Sequence, residues 1–304
     1  MSDTDSETEI DLASDADRES AADPESDADP ESAADPESDA DSEIATVRTG
    51  RPRPIPALRG AITFLTRIPI PGGTRADWDA FRRSPWTLPV VGAIVGTLAG
   101  LAFSLPVPWP SAVATYLAVV YLLSGVTHAD GLADLGDAIA AHDPETRREV
   151  LKDSETGVGG ALALGLTLIT VALGATAVAT TLAAGTLAVR TVIAAEVGAK
   201  LGMAMLVCFG ESAHEGLGSQ LVRVVGPLSI VPAAVVAGGV LLAPPFGAVV
   251  PLAAALLGGP AVAVGLLLGT RSWLGGVSGD VLGAANELGR AVALHAGVIA
   301  WGLL

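Results

Sequence analysis

A single cysteine, Cys208, stands among 304 residues. That excludes an internal disulfide and any cysteine-built metal cluster. Set in an apolar stretch, the thiol is expected to act as a small hydrophobe. The chain also lacks a Walker-type phosphate loop, the glycine fingerprint of dinucleotide folds, an HExxH metal motif and a GxSxG nucleophile turn, which argues against hydride transfer and serine hydrolysis. Charged residues are scarce at 16% and aromatic residues scarcer at 4%, while half of the chain is apolar. Its mean hydropathy is +0.54, well above the usual range of soluble domains.

The formal net charge of −16 averages two unlike parts. Residues 1–47 hold 18 of the 33 acids and one of the 17 bases, leaving 15 acids against 16 bases from Arg48 onward. The leading segment, with its near-repeats ADPESDADPESAADPESDADSE, has almost nothing large and apolar to bury and repels itself when compacted, so it is expected to be a disordered, solvating tail. It has neither the basic start nor the apolar stretch of a signal peptide. Residues 48–304 are expected to form one integral membrane domain, with no nucleic-acid partner.

Apolar blocks recur from Thr87: Thr87 to Leu105, Ser111 to Val126, Val158 to Thr181, Leu187 to Val207, Leu228 to Leu242, Phe246 to Gly269 and Ala291 to Leu304. A spanning helix needs roughly 20 residues. The expectation is an all-α, polytopic bundle of about seven spans, rich in Gly and Ala so that helices approach closely in lipid. The bases place the N-terminus in the cytoplasm of a multi-pass cell-membrane protein. Arg48, Arg51, Arg53, Arg59, Arg82 and Arg83 precede the first block, and by this count the segments His128–Gly157, Gly210–Gly226 and Thr270–Arg290 return to the same side as cytoplasmic loops. Arg190 falls near the outer end of its block and is expected to snorkel. Leu58 to Pro71, short and ending in prolines, fits an interfacial or re-entrant segment.

The densest polar pattern is THADGLADLGDAIAAH, in which Asp130, Asp134 and Asp137 fall on one face of a helix. Carboxylates stacked so closely repel one another unless a divalent cation lies between them, and a hard ion such as Mg2+ suits oxygen ligands that share it with phosphates. A solvated acidic face is the plainer alternative. It is disfavoured because the pattern directly follows a membrane block, where idle carboxylates are costly. His128 could orient a phosphate, act as a base, or cap the helix. In LKDSETGVGG, the residues Lys152, Asp153 and Ser154 precede Gly157, Gly159 and Gly160, which makes either an anion site at a helix start or a plain capped loop. A third polar segment carries Asp280, Asn286 and Glu287, and a fourth carries Glu211, His214 and Glu215.

Read in order, FLTRIPIP, RSPWTLPVVGAIVG, HADGLADLGDA, LKDSETGVGG, GLG and SGDVLGAANE resemble the cobalamin synthase family, or adenosylcobinamide-GDP ribazoletransferases, over the whole body from about Leu58. Two positions depart from the family's pattern: Glu155 stands where Arg usually follows KDS, and Ala199 with Lys200 replaces a Ser-Arg pair. The resemblance implies transfer of the cobinamide phosphate from adenosylcobinamide-GDP to α-ribazole or its 5′-phosphate, with Mg2+ and release of GMP. On that reading Asp130, Asp134 and Asp137 hold the ion. Lys152 and Arg67 balance phosphate charge, and Ser154, Asp280, Asn286 and Glu287 face substrate. His128 or Asp153 takes the proton of the attacking ribose hydroxyl. The oligomeric state stays open.

A phospholipid-type (CDP-alcohol) phosphotransferase is the second enzyme reading, but its DGxxAR pattern is broken by Asp134 directly after DGLA. An ion-coupled secondary transporter would want carboxylates near the midplane, whereas these fall at block ends.

Overall fold

The computed structural model describes residues 53–71, 73–141, 143, 147, 155–182, 185–242 and 248–304. The acidic tail expected over residues 1–47 and the residues Lys152, Asp153 and Ser154 lie outside the described residues. The described chain is helical: α1 (Pro54–Leu65), α2 (Arg75–Arg82), α3 (Thr87–Gly100), α4 (Trp109–Ser124), α5 (Thr127–Ala140), α6 (Val158–Thr181), α7 (Thr186–Phe209), α8 (Leu217–Val222), α9 (Ile230–Gly238), α10 (Val249–Trp273) and α11 (Gly279–Gly302). Among the described residues there is no named strand, only a bridge between Ser212 and Val277.

Among the described residues four helical stretches are long and apolar enough to cross a membrane: Thr87–Ser104, Val158–Thr181, Thr186–Phe209 and Val249–Trp273. A fifth forms if α4 and α5, bent by 93° at Gly125, count as one broken span. This makes a polytopic helical membrane protein with fewer clear spans than the seven expected. The block Leu228 to Leu242 is a short apolar helix. Ala291 to Leu304 is the second half of α11, whose first half carries Asp280, Glu287 and Arg290. The expected loop Thr270–Arg290 is therefore corrected, because α10 runs to Trp273 and α11 starts at Gly279. Ser278 caps that start by accepting the Val281 N–H at 3.3 Å.

The bundle is organised around α7, which packs against α3, α10 and α11 and is 83% buried along its apolar window. By contrast, α6 and α10 leave Leu162, Leu166, Leu173, Leu257 and Leu268 exposed. Such outward faces suit lipid, which offers no polar partner to side chain or backbone. Cys208 is buried, as a small hydrophobe should be. Arg190 is buried too, 7% exposed, so it does not snorkel.

Helix α1 is too short to span. It pairs with α2 through the Phe64, Trp78 and Phe81 rings and through Arg59, whose Nε and Nη2 donate to Asp77 at 2.9 and 2.7 Å. Thr74 and Asp77 close a capping box at the start of α2. The Arg59 guanidinium leads the causes that hold the Asp77 carboxyl down at about 2.

Candidate active site

The site grows from the break between α4 and α5. Gly125 ends α4 at φ 68°, a region that favours glycine. A Cβ there would also meet the Arg67 Nε at 2.7 Å. The chain turns sharply and restarts as α5 at Thr127, so His128 and Asp130 stand in the first turn of the new helix.

Glycine also sets how near α5 lies to α11. A Cβ on Gly131 would fall 2.7 Å from the Asp280 Cα, and one on Gly283 would fall 2.9 Å from the His128 carbonyl oxygen. Backbone therefore meets backbone, and His128, Asp130 and Asp280 come to the wall of one cavity of about 580 Å3. His214, Ser124, Ser219 and Ser278 complete its polar side. Phe64, Leu88, Met203, Val207 and Leu217 make an apolar side. A mainly apolar hollow with a few convergent polar groups is the usual form of a small-molecule site.

Asp130, Asp137 and Asp280 all lie within electrostatic reach of Asp134. The carboxylates differ in their partners, however. Asp137 turns to α6, where its two oxygens accept the Gly157 and Gly160 N–H groups at 2.7 and 2.8 Å. The anion at that glycine-rich helix start is thus Asp137 itself, stabilised by unpaired N–H groups and the helix dipole. Asp280 accepts from Ser278 Oγ at 3.1 Å, and Asp130 is exposed at the cavity wall. Among the described residues no three His, Cys, Asp or Glu side chains form a ready metal cage.

The profile of the cobalamin-5-phosphate synthase family matches residues 57–298. A relative from Halorubrum lacusprofundi, named adenosylcobinamide-GDP ribazoletransferase, is 50% identical over 81% of this chain and 97% of its own length. Relatives of the same name from Haloquadratum walsbyi and Methanocella arvoryzae are 45% and 34% identical, over 81% and 80% of this chain and 98% and 96% of their own. The chain belongs to the cobalamin-5-phosphate synthase family. It is therefore a transferase of cobalamin biosynthesis. No solved structure matches it.

Within this synthase, the residues singled out in the sequence separate into three groups. His128, Asp130 and Asp280 line the cavity. Arg67 is exposed, packs on Gly125 beside the wall residue Ser124, and anchors its own N–H on the Leu123 carbonyl at 2.6 Å. Asn286 and Glu287 are 0% and 1% exposed and lie outside the cavity lining, inside the bundle.

There they join a polar network that sequence reasoning missed. Arg290 donates to Glu196 at 2.5 Å and to Glu287 at 2.5 Å. Tyr116 and Tyr121 donate to Glu196 and Glu287 at 3.2 and 2.9 Å, and Asn286 Nδ2 donates to Glu287 at 3.0 Å. Lys200 extends the chain to Asn286 and His128. The signal was present, since charges inside apolar blocks are costly and mark partners or function. In the fourth polar segment His214 reaches the cavity, whereas Glu211 and Glu215 pair with Arg271 and Arg223 at the surface.

Proposed function

We propose that this chain transfers the cobinamide phosphate of adenosylcobinamide-GDP to α-ribazole or its 5′-phosphate, releasing GMP. The observation that carries the reading is one cavity in which His128, Asp130 and Asp280 face an apolar wall of Phe64, Leu88 and Met203. A nucleoside acceptor offers both kinds of surface, a flat base for the apolar side and a ribose with hydroxyls for the polar side. The reaction forms a bond between a ribose hydroxyl oxygen and the cobinamide-linked phosphorus. It breaks the bond from that phosphorus to the bridging oxygen, which leaves with GMP, and the hydroxyl proton passes to solvent at the open side of the cavity where Asp130 is exposed.

The donor chemistry fits Mg2+. Asp130, Asp134 and Asp280 bring hard oxygens and mutual repulsion to one place, and Mg2+ commonly takes one or two carboxylates together with substrate phosphates and waters. Asp130 and Asp134 would hold it, with Asp280 beside them. Asp137, expected as a third ligand, has both oxygens engaged by α6 and supports the pair by fixing α5. When bound, the ion supplies positive charge to the diphosphate oxygens. Arg67, exposed at the elbow, neutralises a phosphate, and alignment in the cavity supplies much of the remaining acceleration. His128 contacts the substrate from the cavity wall.

The lipid bilayer holds the bundle, with the N-terminus and this cavity on the cytoplasmic side, in keeping with the bases clustered before α3 and in the segments near the cavity. The test is direct. Purified protein in nanodiscs receives adenosylcobinamide-GDP, α-ribazole and Mg2+, and GMP release is followed. Absence of GMP from the intact protein overturns the reading.

A further inference from the structure

Lys200 is 2% exposed on α7, and its surroundings define its chemistry. Its Nζ lies 2.8 Å from Asn286 Oδ1, 3.3 Å from His128 Nε2 and 3.5 Å from Met203 Sδ. An ammonium has three N–H donors and no lone pair, so three neighbours match three donors and each must accept. The two cations Lys200 and Arg290 balance the two carboxylates Glu196 and Glu287 in the same network, and a buried cluster is tolerated when its charges cancel.

If Nε2 accepts from Lys200, the ring proton of neutral His128 sits on Nδ1. That atom is buried and has no hydrogen-bond partner among the described residues. The side chain is only 7% exposed and forms part of the cavity wall. A buried N–H without an acceptor is unusual in a folded protein, and one at the edge of a ligand cavity is completed by an acceptor that enters it.

We propose that Lys200 is a positioning residue that locks His128 in the Nδ1–H form, so that His128 meets the substrate as a hydrogen-bond donor to a phosphate oxygen rather than as the base that takes the hydroxyl proton. The proposal rests on the phosphate-transfer reading above for the identity of the acceptor, but not for the state of the ring.

The experiment has two arms. In the first, the full-length protein is labelled with 15N-histidine in nanodiscs, and His128→Gln assigns the His128 signals. The expected spectrum has a protonated Nδ1 and a bare Nε2. Lys200→Met releases the ring into a mixture of forms, and Lys200→Arg, which also only donates, keeps the wild-type pattern. A protonated Nε2 in the intact protein overturns the proposal whether or not the Lys200 variants fold.

In the second arm, GMP release is compared across variants. An Asn side chain puts its amide near Nδ1 and a Gln side chain puts it near Nε2. His128→Asn should therefore keep more activity than His128→Gln. Lys200→Met should lower kcat on the order of a hundredfold, the scale of one lost oriented donor, with the donor KM little changed and with recovery in Lys200→Arg. Equal loss in the two His128 variants, or unchanged kcat in Lys200→Met, overturns the donor role. If the intact protein releases no GMP, the transfer reading falls, while the ring spectrum still decides what Lys200 does.

Discussion

Asp130 and Asp137 sit about two turns apart on α5 and meet different partners. Asp130 borders the cavity, whereas Asp137 satisfies two N–H groups at the start of α6. Their variants should separate accordingly. Asp130→Asn is expected to cut the rate of GMP release on the order of a hundredfold with little change in melting temperature. Asp137→Ala should remove two charge-assisted bonds to a helix start and cost about 1–3 kcal/mol of stability, read by thermal melting in detergent. An Asp137→Ala protein that melts normally but needs much more Mg2+ would restore Asp137 to the ion. The spacing of four and three was legible in the sequence, but it places three carboxylates on a face without saying which neighbour each one finds.

At the scale of elements, the elbow and the hairpin depend on few residues. Gly125→Ala must place a Cβ at positive φ and against Arg67. It should lower both stability and turnover, measured by melting and GMP release on the same preparation. The α1–α2 hairpin carries a pH dependence. Asp77 has its carboxyl held at about 2, first by Arg59, below the usual value of about 3.9. A carboxyl with a lowered folded pKa contributes stability in full above its ordinary value and loses it as pH falls towards the folded one. Trp78 stands next to Asp77 in sequence and donates to Gln220 at 3.2 Å, so its fluorescence should change on acidification between those two values. Arg59→Met should move that change upward in pH. An unchanged profile in Arg59→Met would show that the pair does not hold the hairpin.

For the whole molecule, the buried charges are the most consequential feature. Arg290 and Lys200 together neutralise Glu196 and Glu287 deep in the bundle, and removing one member leaves charge with no partner and no water. Arg290→Met alone should cost about 3–5 kcal/mol, seen as a fall in melting temperature. Arg290→Met combined with Glu196→Gln, which leaves Lys200 and Glu287 to balance each other, should recover much of that loss. Residues 1–47 lie outside the stretch that matches the family, 57–298. Deleting them should leave GMP release in nanodiscs unchanged, and a large fall in turnover would give the tail a catalytic part.

The order of amino acids was enough to specify a helical membrane protein of the cobalamin synthase kind, because apolar length and ordered local motifs are properties of the chain alone. It also brought His128 and Asp130 together, since they are neighbours on one helix. The folding of distant segments onto one another decided that Asp280 joins them, through glycines that let α5 and α11 touch. It also decided that Asn286 and Glu287 serve a buried ionic network. The block Ala291 to Leu304 looked like a separate span because hydropathy averages over a window. The charges in the first half of α11 lower that average, although their partners on α4 and α7 allow them to be buried. Pairing between distant segments compensates the cost of a charge, and no reading along one chain contains it.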